Sequence, residues 1–195
     1  MVYFTIAIYF AVLLWVGVVA SRRVHTLSDY YLGGKQLGYW VAAFSARATG
    51  ESAWLYLGLT GLGAAVGLSA LWVVVGEVIG VSIAWFFMAA PFKAATDRAN
   101  AITVPDYLVS RFGSDAAPQM TRRLRLVAAG SLALFVTIYV SAQIDATGQA
   151  FVNFLDWNYF VGALVGFGIV AAYTFSGGFL AVAWSDLFQG LLMLV

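Results

Sequence analysis

The chain has 195 residues, of which 63% are hydrophobic and only 10% carry a charge. A soluble domain is nearer half apolar and about a quarter charged, so this composition predicts a protein that lies largely in a lipid bilayer. There is no basic stripe that would make nucleic acid an expected partner, and the absence of cysteine excludes disulfides and thiolate metal sites.

Six apolar segments are long enough to cross the bilayer, which takes about 20 mostly apolar residues. The first is followed by Arg22 and Arg23 rather than preceded by positive charge, which favours a true span over a cleaved signal peptide. The last reaches Val195 without a cap or charged flank, so we expect the N-terminal part of a longer protein. The predicted spans are residues 2–20, 39–65, 69–92, 124–154, 158–176 and 179–195.

Positive charge is concentrated in two of the connections between these spans. Nine of the ten lysines and arginines lie in residues 21–38 and 93–125, the exception being Arg47, whereas the opposite connections carry only Asp156. Positively charged loops stay in the cytoplasm. We therefore expect a multi-pass plasma-membrane protein with its N-terminus outside and loops 21–38 and 93–123 in the cytoplasm.

A short helix is predicted in the second cytoplasmic loop, within the stretch "TVPDYLVSRFG". Pro105 suits the first turn of a helix, and Thr103 and Asp106 have the spacing of a capping box. An apolar face follows, which fits either a helix lying on the membrane surface or a loop helix packed on the protein. The residues of that face are Tyr107, Leu108 and Phe112.

Several ionisable residues fall inside the predicted spans, where an Arg or Asp costs at least about 2.5 kcal/mol. Such groups must face a protein interior or a wet cavity, and the default interpretation is an ion or solute path. Arg47 and Glu51 are four residues apart, so a structural ion pair on one helix face is the alternative for them. The five residues are Arg47, Glu51, Glu77, Asp145 and Asp186.

The stretch "SARATGESAWLYLGLTG" is poorly suited to a regular helix because glycine and hydroxyl residues are frequent in it. Small residues can serve close helix packing. Alternatively, the helix breaks near residues 48–53 and frees backbone carbonyls, which together with Thr49 and Ser52 would suit a sodium ion. Further along, Tyr139 and Gln143 share one helix face. No catalytic motif is present, which argues against a membrane enzyme.

Four blocks in the expected order resemble the sodium/solute symporter family, most closely its sodium/proline branch. They are "SDYYLGGKQLGYWVAAFSARATGESAWLYLGLTG", "ITVPDYLVSRFG", "FVTIYVSAQIDATGQAF" and "YTFSGGFLAVAWSDLFQGLLM". The resemblance implies an all-α, leucine-transporter-type inverted-repeat fold, of which this chain supplies an extra N-terminal helix and the first five-helix repeat. It also implies symport of a small organic solute, such as proline or another amino acid, by alternating access, with Na⁺ as the coupling ion.

The same resemblance implies roles for individual residues. The carbonyls of Ala48 and Glu51 and the hydroxyl of Ser52 correspond to sodium ligands. Asp186 corresponds to an acidic residue near the inner sodium exit, on the ion path. The residues expected to act in substrate binding or coupling are Lys35, Trp54, Glu77 and Tyr139.

The chain departs from the proline branch at three neighbouring positions. Gly50 stands where that branch has an aspartate important for sodium, Glu51 carries the acid one residue later, and Ala53 replaces a glycine. A shift of one residue turns a side chain by about 100° on a helix. Proline as the solute and sodium rather than protons as the coupling ion therefore stay open. A symporter-like input domain of a membrane histidine kinase is the alternative function.

Overall fold

A computed structural model of the chain describes residues 1–35, 37–50, 52–113 and 117–193. Within these ranges the chain forms helices and connecting turns, with no β-strand. The helices long and apolar enough to cross a membrane are Val2–Ser21, Leu57–Arg98, Pro118–Leu155 and Tyr159–Leu192. The expected all-α membrane architecture with several crossings is thereby confirmed.

The chain divides into two compact units. The first comprises Met1–Trp54 with Ala142–Val195, and the second comprises Leu55–Ser141. The helix α8, Pro118–Leu155, contributes residues to both. The other helices of the first unit are α1 (Val2–Ser21), α2 (Leu27–Leu32), α3 (Tyr39–Gly50) and α9 (Tyr159–Leu192).

The core of the first unit lies between α1 and α9. Leu13 and Ala20 of α1 pack with Tyr173 and Ala181 of α9 in one buried cluster. Gly17 permits this approach, since a Cβ added there would stand 2.7 Å from the Cβ of Tyr173. Without water in the bilayer core to drive association, close packing at small residues is a main attraction between spanning helices.

Helix α9 is kinked at Gly178, whose φ of 57° and ψ of −148° are not helical. A Cβ at Gly178 would lie 2.5 Å from the carbonyl oxygen of Tyr30 in α2. Glycine is therefore required both by the backbone conformation and by the neighbouring chain. The kink lies between the predicted spans 158–176 and 179–195, which belong to a single helical element, α9, in the structure.

The second unit contains a series of helices joined without long loops. The helices are α4 (Thr60–Val66), α5 (Leu71–Ile83), α6 (Ala90–Arg98) and α7 (Val104–Phe112). A π-helical turn, Trp54–Leu59, leads into α4, and a 3₁₀ turn at Gly67–Ala70 precedes α5. A second π-helical turn, Ala84–Ala89, joins α5 to α6.

The capping box predicted for the loop helix is present at the start of α7. The Thr103 hydroxyl accepts from the backbone N–H of Asp106, and the Asp106 carboxylate accepts from the backbone N–H of Thr103, each at 3.3 Å. Pro105 lies in the first turn, where its missing N–H costs nothing. The apolar face is divided, since Tyr107 stacks edge-on against Phe92 of α6 while Phe112 is exposed.

Candidate functional site

The helix that begins at Tyr39 is interrupted after Gly50. Ser52 lies in a bend, its backbone N–H donating to the Gly50 carbonyl at 3.2 Å. Its hydroxyl accepts from the backbone N–H of Trp54 at 3.2 Å and so caps the helical segment that follows. The last carbonyls of α3 are thus at a helix end rather than inside a continuous ladder. Of the two interpretations of this stretch, the structure has the broken helix.

A side chain from α8 completes the interruption. The backbone N–H of Ala53, which a continuous helix would direct at the Thr49 carbonyl, donates to Oε1 of Gln143 at 2.9 Å. The Thr147 hydroxyl donates to the Gln143 carbonyl at 2.8 Å, one turn further along α8. Gln143 thus supplies the acceptor that the break removes. From the sequence, Gln143 was predicted only to share a helix face with Tyr139, because no local signal points from residue 143 to residue 53.

Asp186 of α9 is held against α3. The Ser45 hydroxyl donates to Oδ2 of Asp186 at 2.6 Å, and Ser45 is only 6% exposed. Thr49, one turn later, donates its hydroxyl to the Ser45 carbonyl at 2.8 Å. Ser45 precedes Gly50 by five residues, which is about 7–8 Å of helix. The structure therefore places the carboxylate of Asp186 beside the last turns of α3, close to the interruption.

A second carboxylate at membrane depth has a different partner. The Tyr159 hydroxyl donates to Oδ1 of Asp145 at 2.6 Å, which ties the start of α9 to α8. The same tyrosine ring would meet a Cβ added at Gly148 at 2.6 Å, so the two helices are in direct contact there. Asp145 thus contributes to the junction of α8 and α9.

The other predicted site residues are divided between the units. Ala48 lies in the last turn of α3, and Trp54, 52% exposed, begins the π-helical turn after the break. Lys35 ends the 3₁₀ turn Gly33–Lys35 with a φ of 57°. In the second unit, Glu77 is partly buried in α5, and Tyr139 is 49% exposed on α8.

One predicted ligand cannot be placed. Glu51 lies outside the described residues, and the same holds for its predicted pairing with Arg47. Among the residues that are described, Ala48 and Ser52 lie on the two sides of the interruption, and Asp186 is held at Ser45, about one helical turn before Ala48.

The chemistry offered at the interruption is that of oxygen donors. Backbone carbonyls at a helix end and a serine hydroxyl suit a hard monovalent cation, and a carboxylate nearby favours positive charge. No group of three histidine, aspartate or glutamate side chains that could hold a metal ion occurs in the part of the chain that the structure describes. The geometry is thus that of a discontinuous membrane helix whose ends offer uncharged oxygen atoms.

Comparison with known proteins points in the same direction. Residues 30–195 match the family model described as the sodium:solute symporter family. The chain is 40% identical over 182 residues, 93% of its length, to the high-affinity proline transporter of Bacillus subtilis. It is 38% and 36% identical to the sodium/proline symporters of Haemophilus influenzae and Escherichia coli, each over 97% of its length. The chain spans only 37% of the length of each relative. No solved structure matches it significantly.

Proposed function

Because the chain belongs to the sodium:solute symporter family, we propose that it forms part of a secondary active transporter that couples sodium entry to uptake of a small organic solute. Members of this family are transporters rather than enzymes. Relatives named as sodium/proline symporters make proline the favoured solute, with another amino acid as the nearest variant. Sodium and the solute are then both substrates of the transporter.

The interruption between Gly50 and Trp54 is the observation that carries this proposal. In secondary transporters, discontinuous helices expose carbonyls near the bilayer midplane, where they coordinate the coupling ion. The carbonyls of Ala48 and Glu51 and the hydroxyl of Ser52 are the proposed sodium ligands of this chain. The oxygen of the Ser52 hydroxyl has two lone pairs, of which one accepts from the backbone N–H of Trp54 and the other can face a cation.

Asp186 has the proposed role of a charged group on the ion path. A carboxylate at membrane depth is expensive, and such residues usually mark ion or solute pathways. The hydrogen bond from Ser45 holds Asp186 near the end of α3. The residues proposed to act in substrate binding or coupling are Lys35, Trp54, Glu77 and Tyr139.

For the fold, we propose the leucine-transporter-type arrangement of inverted repeats. The extra N-terminal helix would be α1, and the interrupted segment from α3 to α4 would be the first core helix of the repeat. The kink of α9 at Gly178 supports a division of that helix between two spans of the repeat. The proposed orientation has the N-terminus outside and loops 21–38 and 93–123 in the cytoplasm, because positive charge is concentrated there.

The proposed mechanism is alternating access driven by differential sodium binding. An ion shifts a two-state equilibrium only through its different affinity for the two states. Moving one positive charge through about 100 mV supplies about 2.3 kcal/mol. Since about 1.4 kcal/mol corresponds to a factor of ten, one ion per cycle sustains a roughly 50-fold accumulation of a neutral solute.

The test is uptake of labelled proline by the full-length protein in proteoliposomes, with and without an inward sodium gradient. We expect Ser52→Ala to raise the half-saturating sodium concentration by about tenfold, because one oxygen ligand is lost. Asp186→Asn should lower sodium-dependent uptake at least as strongly. Matched controls are Ser131→Ala on the exposed face of α8, and Asp156→Asn in a loop where a left-handed backbone suits asparagine.

Two results would contradict the proposal. Uptake that does not depend on sodium would show that sodium is not the coupling ion. Unchanged sodium dependence in both Ser52→Ala and Asp186→Asn would show that these residues do not act in sodium binding. Sodium-dependent uptake of other amino acids but not of proline would keep the mechanism and correct only the solute.

A further inference from the structure

Two cavities adjoin each other in the second unit, one apolar and one polar. The apolar cavity, about 510 Å³, is lined by Ile83, Phe87 and Phe92, among other residues. The polar cavity, about 470 Å³, is lined by Arg98, Ser110 and Arg111. Ala95 and Tyr107 line both, so the two cavities are neighbours and together offer an apolar part and a cationic part. We call the two together the α6–α7 groove.

The groove follows the end of a membrane-crossing helix. Arg98 is the last residue of the apolar helical stretch Leu57–Arg98. The expected cytoplasmic loop begins at Lys93, and Phe87 lies six residues earlier, which corresponds to roughly 9 Å along a helix. Since half of the hydrocarbon core is about 15 Å thick, the part of the groove around Phe87 lies within the depth reached by one acyl chain, and Arg98 lies on the polar side of the boundary.

The local sequence explains why the helix surface is hollow there. Pro91 has no N–H to donate to the carbonyl of Phe87, and the wider π-helical turn Ala84–Ala89 directly precedes it. Gly80 leaves further space, with no atom within 4 Å of where its Cβ would be. At the polar end, the rings of Phe92 and Tyr107 meet edge to face with centroids 5.3 Å apart and join α6 to α7.

The cationic part of the groove has no counter-charge from the described chain. Within residues 1–35, 37–50, 52–113 and 117–193, neither Arg98 nor Arg111 forms an ion pair. Asp97, next to Arg98, is already paired with Lys93. Two guanidinium groups on one cavity repel each other, and an anion between them would reverse that repulsion. Guanidinium groups match phosphate oxygens in bidentate geometry, and Ser110 adds a hydroxyl donor.

We propose that the α6–α7 groove binds one anionic phospholipid from the leaflet in which α6 ends. The phosphate lies at Arg98 and Arg111, and one acyl chain lies along Phe92, Phe87 and Ile83. Basic pockets beside membrane helices are suited to anionic head groups, and here the charge stands where the apolar surface ends. The proposal is independent of the transported solute and of the sodium site.

Native mass spectrometry of the full-length protein, released from nanodiscs, tests the charged part of the groove. We expect retained phosphatidylglycerol, bound at least tenfold more tightly than phosphatidylcholine, which carries the same phosphate without net charge. The double variant Arg98→Gln/Arg111→Gln should lose at least tenfold in phosphatidylglycerol affinity. The matched control is Arg122→Gln/Arg123→Gln, which removes the same charge from the start of α8, outside the groove.

A second pair of variants tests the acyl-chain part. Gly80 lines the apolar cavity, and a Cβ added there would meet no atom within 4 Å, so Gly80→Phe places a ring in the groove and should weaken phosphatidylglycerol binding without changing charge. Gly130→Phe on α8 enters equally open space and should have no effect. Inorganic phosphate is the third probe. If inorganic phosphate displaces the lipid fully and Gly80→Phe leaves phosphatidylglycerol binding unchanged, the groove binds an adventitious anion only and the proposal is wrong. Equal retention of both lipids, or none, also overturns it.

Discussion

Oε1 of Gln143 accepts a hydrogen bond from the backbone N–H of Ala53 at 2.9 Å, across ninety residues of sequence. This pair joins α8 to the start of the helical segment that follows the interruption. In a bilayer no water is present to satisfy a freed backbone amide, and each unsatisfied group costs several kcal/mol. The interruption is therefore sustained by a side chain from another helix, and it should fail when that side chain is changed.

Replacing Gln143 by leucine should destabilise the interruption. The Ala53 amide would lose its acceptor, which costs about 1–3 kcal/mol in the free energy of unfolding. Gln143→Glu should restore most of that loss, because a carboxylate oxygen stands in the same place. The measurement is unfolding in detergent, together with sodium-dependent uptake. Gln149→Leu, at an exposed position of α8, is the control. Equal stability of Gln143→Leu and this control would show that the hydrogen bond contributes nothing.

Gly178→Ala should destabilise the protein strongly. Its backbone conformation is one that other residues rarely adopt, at a cost of about 1–3 kcal/mol, and the added methyl would collide with the Tyr30 carbonyl oxygen. Gly168→Ala is the control on the same helix, since its Cβ would meet no atom within 4 Å. Thermal unfolding of the two variants side by side checks this. A Gly178→Ala midpoint as high as that of Gly168→Ala would contradict the kink.

Gly17→Ala should weaken the packing of α1 on α9. The new Cβ would stand 2.7 Å from the Cβ and 2.9 Å from the Cα of Tyr173, and a backbone atom cannot turn aside as a flexible side chain does. Overpacking of this kind costs about 1–3 kcal/mol. Gly61→Ala in α4, which enters open space, provides the comparison. The free energy of unfolding should fall for the first variant only, and equal values would show that the helices adjust without cost.

Asp29 should stabilise α2 in a way that depends on pH. Hydrogen bonds from Thr26, and then from the backbone of His25, lower the pKa of its carboxyl group below the usual value. A lowered folded-state pKa means that the stabilisation is complete above the unfolded-state pKa of about 3.9. It is lost as the pH falls through the still lower folded-state value.

The measurement is the difference in unfolding midpoint between wild type and Asp29→Asn, at pH 7 and again below pH 3. The wild type should be more stable at pH 7, and the difference should shrink in acid. Asp156→Asn, at an exposed carboxyl in another loop, should show no such trend. If the difference in unfolding midpoint between wild type and Asp29→Asn stays constant with pH, the charge of the carboxylate does not stabilise the cap.

Local features were predictable because their causes lie within a few residues. The capping box at Thr103 and Asp106 follows from side chains close in sequence. The weak helix preference around Gly50 is equally local, and it left the interruption as one of two interpretations. The same reasoning missed the capping box of Thr26 and Asp29, although Thr-x-x-Asp was visible there. The local physical signal is equal in both places.

The site contacts belong to a different class. Ser45 reaches Asp186 across 141 residues of sequence, and no periodicity or motif in either segment names the other. Asp145 was predicted only as an ionisable residue inside a span, and its partner in the structure is the Tyr159 hydroxyl at the start of the next helix. A polar group at membrane depth must find a partner, but the sequence does not say which one.

By itself, then, the sequence determined that the chain is an all-helical membrane protein, where several of its helices start, and that the segment around Gly50 is a poor helix. These properties depend on composition and on interactions within about four residues. Only the tertiary structure decided that Gln143 supports Ala53 and that Ser45 holds Asp186. Those pairings depend on how closely α8 and α9 approach their neighbours, which small residues such as Gly17 and Gly178 permit through packing between distant parts of the chain.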